Sequence, residues 1–195
     1  CSSSGALHLI NRIKGEFKKS ESQENNNKKK YLIDPVSAAP FLSKLGICDQ
    51  NGNVFDKKRS KFKQINRFVE LLDDVYGKLP QSGTLCVCDL CCGKSYLTFA
   101  VYYYLTALKK RSVKMYGMDL KSDVIAFCKQ TASELGFEGM EFLCGDIHKF
   151  SPDTAPDLVI SLHACDIATD IVLYNAVRLK AKVILSTPCC HHELF

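Results

Sequence analysis

From residue 84 onward the chain alternates short, nearly unbroken apolar runs with longer segments of mixed pattern. Five runs read as strands: TLCVCDL (84–90), KMYGMDL (114–120), MEFLCGD (140–146), DLVISLHA (157–164) and AKVILSTP (181–188). YLTFAVYYYLTALKK (96–110), SDVIAFCKQTASELG (122–136) and DIATDIVLYNAVRLK (166–180) read as helices, and a short loop with Ser151-Pro152 joins the third run to the fourth. Strand–helix–strand repetition implies parallel strands, right-handed crossovers and helices on both faces. Strands covered on both faces lose the in–out alternation of half-exposed ones, and these runs have lost it. The pattern predicts a doubly wound, Rossmann-like α/β domain over residues 81–195.

Upstream the pattern differs. KKSESQENNNKKK (18–30) holds no apolar residue and reads as a flexible loop. Asp34 as cap and Pro35 at the first helical position open a helix that ends at Gly46, with Pro40 able to kink or split it. Asn51-Gly52 marks a turn. In SKFKQINRFVELLDDVY (60–76), Phe62, Ile65, Phe68, Val69, Leu72 and Val75 recur at helical spacing, which gives an amphipathic helix with a basic first half. Residues 1–80 thus form a helical, basic N-terminal extension.

Composition narrows the class. At 46% hydrophobic and 24% charged residues the chain is not disordered throughout, and its 195 residues suffice for one well-buried core. Apolar runs such as LVISL (158–162) fall far short of the roughly 18–20 residues of a membrane span, so no membrane partner is expected. The opening residues show no sustained apolar stretch of the secretory kind. Eleven cysteines, an odd number, sit mostly in apolar runs (Cys86, Cys88, Cys91, Cys92, Cys128, Cys144, Cys165), where a free thiol acts as a small hydrophobe. A reducing, intracellular location follows, cytoplasmic with the nucleus left open.

The net charge of +5 is uneven: residues 1–80 hold 15 Lys+Arg against 9 Asp+Glu, and residues 81–195 hold 11 against 12. Lys57, Lys58, Arg59, Lys61, Lys63 and Arg67, with the lysines at 28–30, either track an RNA phosphate backbone or form a solvated helix face. Phe62 and Phe68 fit the core by spacing rather than base stacking.

In open α/β sheets ligands bind at the carboxyl ends of the strands. Gly93-Lys94-Ser95 looks like the tail of a triphosphate-binding loop, but Cys88 stands where that motif needs its first glycine. Gly93 is likewise the one glycine of the three a dinucleotide fingerprint requires, which speaks against a nicotinamide oxidoreductase. Asp119, 26 residues beyond Gly93, is placed to accept both hydroxyls of a ribose or, alternatively, to cap the next helix. Asp146 and the amide after it face an adenine edge or form a turn. Asp89, Asp119 and Asp146 put acids at three successive strand ends, harder to explain as caps alone.

D-x-C-x-G-x-S, then an acid after the second strand and G-D-I after the third, resembles class I S-adenosylmethionine-dependent methyltransferases. More narrowly, DLCCGKSYLTFA, YGMDLK, FLCGDI, VISLHACDIATD and VILSTPCCHHEL resemble one methyltransferase-domain family that is similar to acceptor-stem tRNA 2′-O-methyltransferases and glutathione S-transferase C-terminal-domain-containing proteins. The likeness is strong over 84–195 and weaker over 41–76. It implies a sheet in the order 3-2-1-4-5, S-adenosyl-L-methionine as cofactor and S-adenosyl-L-homocysteine as product. By the same resemblance Asp89 and Gly93 shape the methionine end, Asp119 holds the ribose, Asp146 and the Ile147 backbone meet adenine, and Cys91, Tyr96, Leu120 and His163 complete the cofactor site. Cys91 and Ser95 depart from the general class I pattern, standing where glycines are commoner.

Methyl transfer from a sulfonium is an in-line displacement in which the protein holds the acceptor near the methyl group and excludes water, with a base to help a hydroxyl acceptor. His163, Cys189, Cys190, His191 and His192 flank the expected acceptor position. His191 or His192 reads as proton acceptor or positioner and Cys190 as pocket wall. Against this, Cys189 and Cys190 read equally as packed strand-end residues and His163 as a satisfied core histidine. No metal is expected, because adjacent CCHH lacks C-x2-C spacing. The expected function is methyl transfer to RNA (tRNA or rRNA), with protein or small-molecule transfer and a silent binding module as alternatives. The class I sheet normally has seven strands, so the chain is expected to be a fragment that lacks strands 6 and 7, with an incomplete acceptor site and a strand-5 edge open to oligomer formation.

Overall fold

The computed structural model describes residues 31–161, 164 and 167–187; the 18–30 loop and the lysines at 28–30 lie outside them. Five parallel strands, β1 (Leu85–Leu90), β2 (Val113–Asp119), β3 (Met140–Cys144), β4 (Leu158–Ser161) and β5 (Val183–Ser186), pair in the order β3-β2-β1-β4-β5. This is the Rossmann-like sheet that the apolar runs predict. The register aligns the acidic strand ends with their neighbours: Asp89 sits opposite Gly117, and Asp119 opposite Cys144.

Among the described residues five α-helices accompany the sheet: α1 (Ala39–Lys44), α2 (Arg59–Val75), α3 (Tyr96–Tyr103), α4 (Ser122–Glu134) and α5 (Ile167–Arg178). Side chains alternate along each strand, so each strand feeds two cores. On one face Leu85, Val87, Met115, Phe142, Leu158 and Ile160 join Phe41, Leu42, Ile65, Phe68, Leu72 and Phe99 in a single apolar cluster. On the other, Cys86, Cys88, Leu90, Tyr116, Met118 and Val159 meet Val172 and Ala176 of α5 and Ile147 and Phe150 of the β3–β4 crossover. At about 1.5–3 kcal/mol for each large apolar side chain buried, these two layers dominate the stabilisation.

Residues 31–80 contribute to the first of these cores rather than building one of their own. Buried Asn66 of α2 ties the preceding segment down: its Oδ1 accepts from Ile33 N–H at 2.8 Å and its Nδ2 donates to Ile33 O at 3.4 Å. At the other end of α2, Asp73 accepts from the Tyr104 hydroxyl and pairs with Lys109 Nζ at 2.6 Å, which holds the carboxyl of Asp73 below its ordinary range.

Two helices depart from the sequence pattern. Asp34 caps a turn rather than a long helix, accepting from Ser37 N–H and Oγ at 2.8 Å each, and α1 begins only at Ala39, with Pro40 in its first turn where no N–H is needed. The 96–110 helix is not uniform: α3 gives way to one wide π turn, Tyr104–Leu108. The Asn51-Gly52 turn is present, with Gly52 at φ +84° and Asp49 accepting the N–H groups of Asn51 and Asn53. Among the described residues no helix is long and apolar enough to cross a membrane.

Candidate functional site

Parallel strands all release their chain at the same edge, which gathers three loops there. The loop after β1, residues 91–95, is built from left-handed residues: Cys91 (φ 73°), Gly93 (φ 53°) and Ser95 (φ 56°). For a side-chain-bearing residue this conformation costs about 1–2 kcal/mol. Both positions where a glycine is expected but absent therefore adopt a backbone that glycine favours. Cys92 N–H donates to Met118 O at 2.8 Å and Ser95 N–H to Cys92 O at 2.9 Å. The buried Ser95 hydroxyl donates to Gly93 O at 3.3 Å and receives the Cys128 thiol at 3.2 Å.

Asp119, at the end of β2, ties this loop to the next. Its Oδ2 accepts from Gly93 N–H at 2.9 Å and its Oδ1 from Lys121 N–H at 3.0 Å. It does not cap α4, whose N-cap residue is Lys121. Each carboxylate oxygen keeps a further lone pair, so a ligand diol can still be received. After β3, Asp146 Oδ1 accepts from His148 N–H at 2.9 Å and so caps the short 3-10 turn Ile147–Lys149. Its Oδ2 has no partner among the described residues, and no described residue accepts from Ile147 N–H.

These loops enclose a cleft of about 260 Å³. Of the sequence-derived candidates it brings together Cys91, Asp119, Leu120, Asp146 and Ile147. Gly145 and His148, which flank Asp146 and Ile147 at the same strand end, also line it, as do Lys121, Ala168 and Ile171, which were not singled out from sequence. The volume lies just under the ~300 Å³ where small-molecule pockets begin, which suits a nucleoside better than a dinucleotide. Its chemistry suits one too: apolar Leu120 and Ile147 flank the space, and carboxylates stand at two successive strand ends. Two larger hollows lie elsewhere. One of about 430 Å³ between α4 and β3 touches none of the acidic strand ends, and one of about 460 Å³ beside β3 shares only Gly145 and Asp146 with the cleft.

The other candidates fall apart from the cleft. Asp89 is 2% exposed, faces α3, and takes a 2.6 Å hydrogen bond from Thr98 Oγ1. Burial pushes its carboxyl up to about 7, the Thr98 bond opposes that, and the nearby Asp119 charge adds to it. Gly93 reaches the cleft only through its bond to Asp119. Tyr96 opens α3 and packs toward α2, its ring under the ammonium groups of Lys58 (5.8 Å) and Lys61 (5.6 Å). Burial, with the charges of Asp119 and Asp89, pushes the Cys91 thiol up to about 11, so it is protonated and unreactive at neutral pH. His163, Cys189, Cys190, His191 and His192 lie outside the described residues.

A family model described as a methyltransferase domain matches residues 60–195. The glutathione S-transferase C-terminal domain-containing protein of Xenopus laevis is 26% identical over 157 residues, covering 80% of this chain and 22% of that protein. Its Drosophila melanogaster homolog is 29% identical over 136 residues, covering 70% and 22%. The chain thus spans about a fifth of the length of these curated relatives. Among solved structures, a SAM-dependent methyltransferase from Aquifex aeolicus is similar at TM-score 0.44 and 16% identity over 62% of this chain and 71% of that one.

Proposed function

Because the chain belongs to this methyltransferase-domain family, we propose that it transfers a methyl group from S-adenosylmethionine, and that the acceptor is RNA. The observation that carries the cofactor assignment is the meeting of Asp119, Asp146, Leu120 and Ile147 in one nucleoside-sized cleft. S-adenosylmethionine supplies an electrophilic methyl group on a sulfonium. The free lone pairs of Asp119 receive the ribose hydroxyls, while its bonds to Gly93 and Lys121 fix the carboxylate before the ligand arrives. Asp146 Oδ2 and the Ile147 N–H present an acceptor and a donor to the adenine edge, and Leu120 and Ile147 cover the ring's faces. No phosphate has to be wrapped by the β1–α3 loop, which agrees with its single glycine. From sequence alone, His191 or His192 is the candidate proton acceptor or positioner for the incoming hydroxyl, with His163, Cys189 and Cys190 as the further candidates.

RNA as acceptor rests on the basic segment formed by α2 and the turn before it, where Lys57 and Lys63 are exposed and form no ion pair with a described carboxylate, unlike Arg59 and Arg67. Calorimetry with S-adenosylmethionine, S-adenosylhomocysteine and NAD tests the cofactor: the first two bind, and tight NAD binding without either would overturn the reading. Incubation with labelled cofactor and total RNA or total protein then tests the acceptor, and label in protein alone would remove RNA.

A further inference from the structure

The basic run at the start of α2 is not uniform once its partners are placed. Arg59 pairs with Asp56 at 2.9 Å and Arg67 with Glu70 at 2.9 Å, each three residues away along the chain. Lys58 and Lys61 do otherwise. They are half-buried, they form no ion pair with a described carboxylate, and both converge on the ring of Tyr96, with Lys61 Nζ held by the neutral Gln64 Oε1 at 2.7 Å. Two like charges three residues apart on a helix repel. A tyrosine face offsets only part of that repulsion. Burial, together with the Lys58 charge, lowers the pKa of Lys61 from its ordinary value. An acid nearby would relieve the pair, as it does for both arginines on the same helix, yet none stands there among the described residues. The two ammonium groups therefore present a concentrated positive charge over one tyrosine face.

Their position indicates where an anion would come from. Tyr96 follows Ser95 directly, so the two lysines flank the loop whose first residue, Cys91, lines the cleft. Lys94 of the same loop is exposed and adds a third cation there. We propose that Lys58 and Lys61, held over Tyr96, form an oxyanion-binding site at the rim of the cofactor loop. The proposal rests on the methyltransferase reading for the source of the oxyanion: either the carboxylate of the bound cofactor's methionine or a backbone phosphate of the RNA acceptor. The shared chemistry is a compact, singly charged oxygen group bound by two ammonium ions, a point-charge contact of the kind lysine makes.

The experiment compares two double variants with the same loss of charge in the same segment. Lys58→Ala with Lys61→Ala removes the unpaired cations, and Arg59→Ala with Arg67→Ala removes the paired ones. Calorimetry is run with S-adenosylhomocysteine, with inorganic phosphate and with a short single-stranded RNA at two salt concentrations. The lysine variant loses about tenfold in affinity, the scale of a hydrogen bond to a charged group. The arginine variant loses about twofold or less, as exposed pairs do. Loss confined to S-adenosylhomocysteine assigns the cofactor's carboxylate. Loss for phosphate and RNA, with S-adenosylhomocysteine unchanged, assigns the acceptor's phosphate. Equal losses in the two variants, or none in either, overturn the proposal. Thermal unfolding serves as the folding control, because removing two mutually repelling charges leaves the melting temperature unchanged or raised. If the parent chain binds no S-adenosylhomocysteine, the methyltransferase reading fails, while the phosphate and RNA arms still decide the oxyanion site.

Discussion

Asp89, the last residue but one of β1, and Asp119, the last of β2, are both followed by leucine and carry the same side chain into different surroundings. Asp89 points into the apolar layer beneath α3, 2% exposed, with a hydrogen bond from Thr98. Asp119 stands at the cleft and accepts two backbone N–H groups, and Asp146 at the next strand end accepts one. Two backbone donors orient a carboxylate and leave lone pairs for a ligand. A buried carboxyl with one hydroxyl partner is held near neutrality instead. The difference predicts a division of labour, with Asp89 bearing on folding and its pH dependence and the other two on binding.

The largest effect that tests this division concerns Asp89. Its folded pKa of about 7 lies above the ordinary carboxyl value of 3.8. A raised pKa means the folded chain holds a proton the unfolded chain has released. Its stabilising contribution is then complete below about pH 4 and is lost as pH rises through about 7. Each tenfold difference in proton affinity between the folded and unfolded chain is worth about 1.4 kcal/mol, so the loss is on the order of 4 kcal/mol. Asp89→Asn keeps the shape and removes the titration. Urea unfolding should show the parent chain weakening between pH 4 and 8 while the variant stays nearly flat. Parallel curves would place the titrating group elsewhere.

Next in size is Asp119→Ala, which should weaken S-adenosylhomocysteine binding by about 1–3 kcal/mol, because the ribose hydroxyls and the Gly93 and Lys121 N–H groups lose their acceptor. Asp89→Asn should leave that affinity near the parent value. If the two variants lose equal affinity, the separation of roles collapses. Smaller again is Asp146→Ala. Removing a cap from a short turn costs about 1 kcal/mol of stability. Calorimetry should show a smaller loss of affinity than at Asp119, because the Ile147 N–H remains in place.

The sheet was legible because strands covered on both faces write themselves as unbroken apolar runs, and all five were readable to within a few residues. The same property hid Asp89. Within LCVCDL an acid next to a leucine looks like a strand end, and three such acids look alike. Strand parity carried the missing signal: Asp89 shares its face with Leu85 and Val87, the face that α3 covers. The π turn at Tyr104–Leu108 left no trace because YLTFAVYYYLTAL is apolar on every side, so no periodicity registers the extra residue. The cleft was legible in its carboxylates and in Ile147, since each follows a strand directly. Ala168 and Ile171 were not, because two chain segments distant in sequence have to meet before they share a wall. That Lys58 and Lys61 pair with no acid among the described residues was likewise invisible, since a cluster of six basic residues does not reveal which of them find one.

The smallest effect probes the loop that joins the two kinds of acid. Cys91 and Ser95 both sit in left-handed backbone, but only Ser95 spends its side chain on hydrogen bonds there, to Gly93 O and from the Cys128 thiol. Cys91→Gly relieves about 1–2 kcal/mol of backbone strain. It also adds the conformational freedom of glycine to the unfolded chain, about 0.5–1 kcal/mol. A net gain of a few tenths to about 1 kcal/mol is expected in urea unfolding. Ser95→Gly gains the same relief but loses the hydroxyl's bonds to Gly93 O and from the Cys128 thiol, leaving that carbonyl only the longer thiol contacts of Cys128 (3.7 Å) and Cys92 (3.8 Å), so it should gain nothing or lose about 1 kcal/mol. The paired measurement separates strain tolerated for the sake of a side chain's bonds from strain at a residue that only lines the cleft. A Cys91→Gly variant less stable than the parent would mean that the thiol's packing outweighs its backbone, and that the loop after β1 is held by its side chains at both positions.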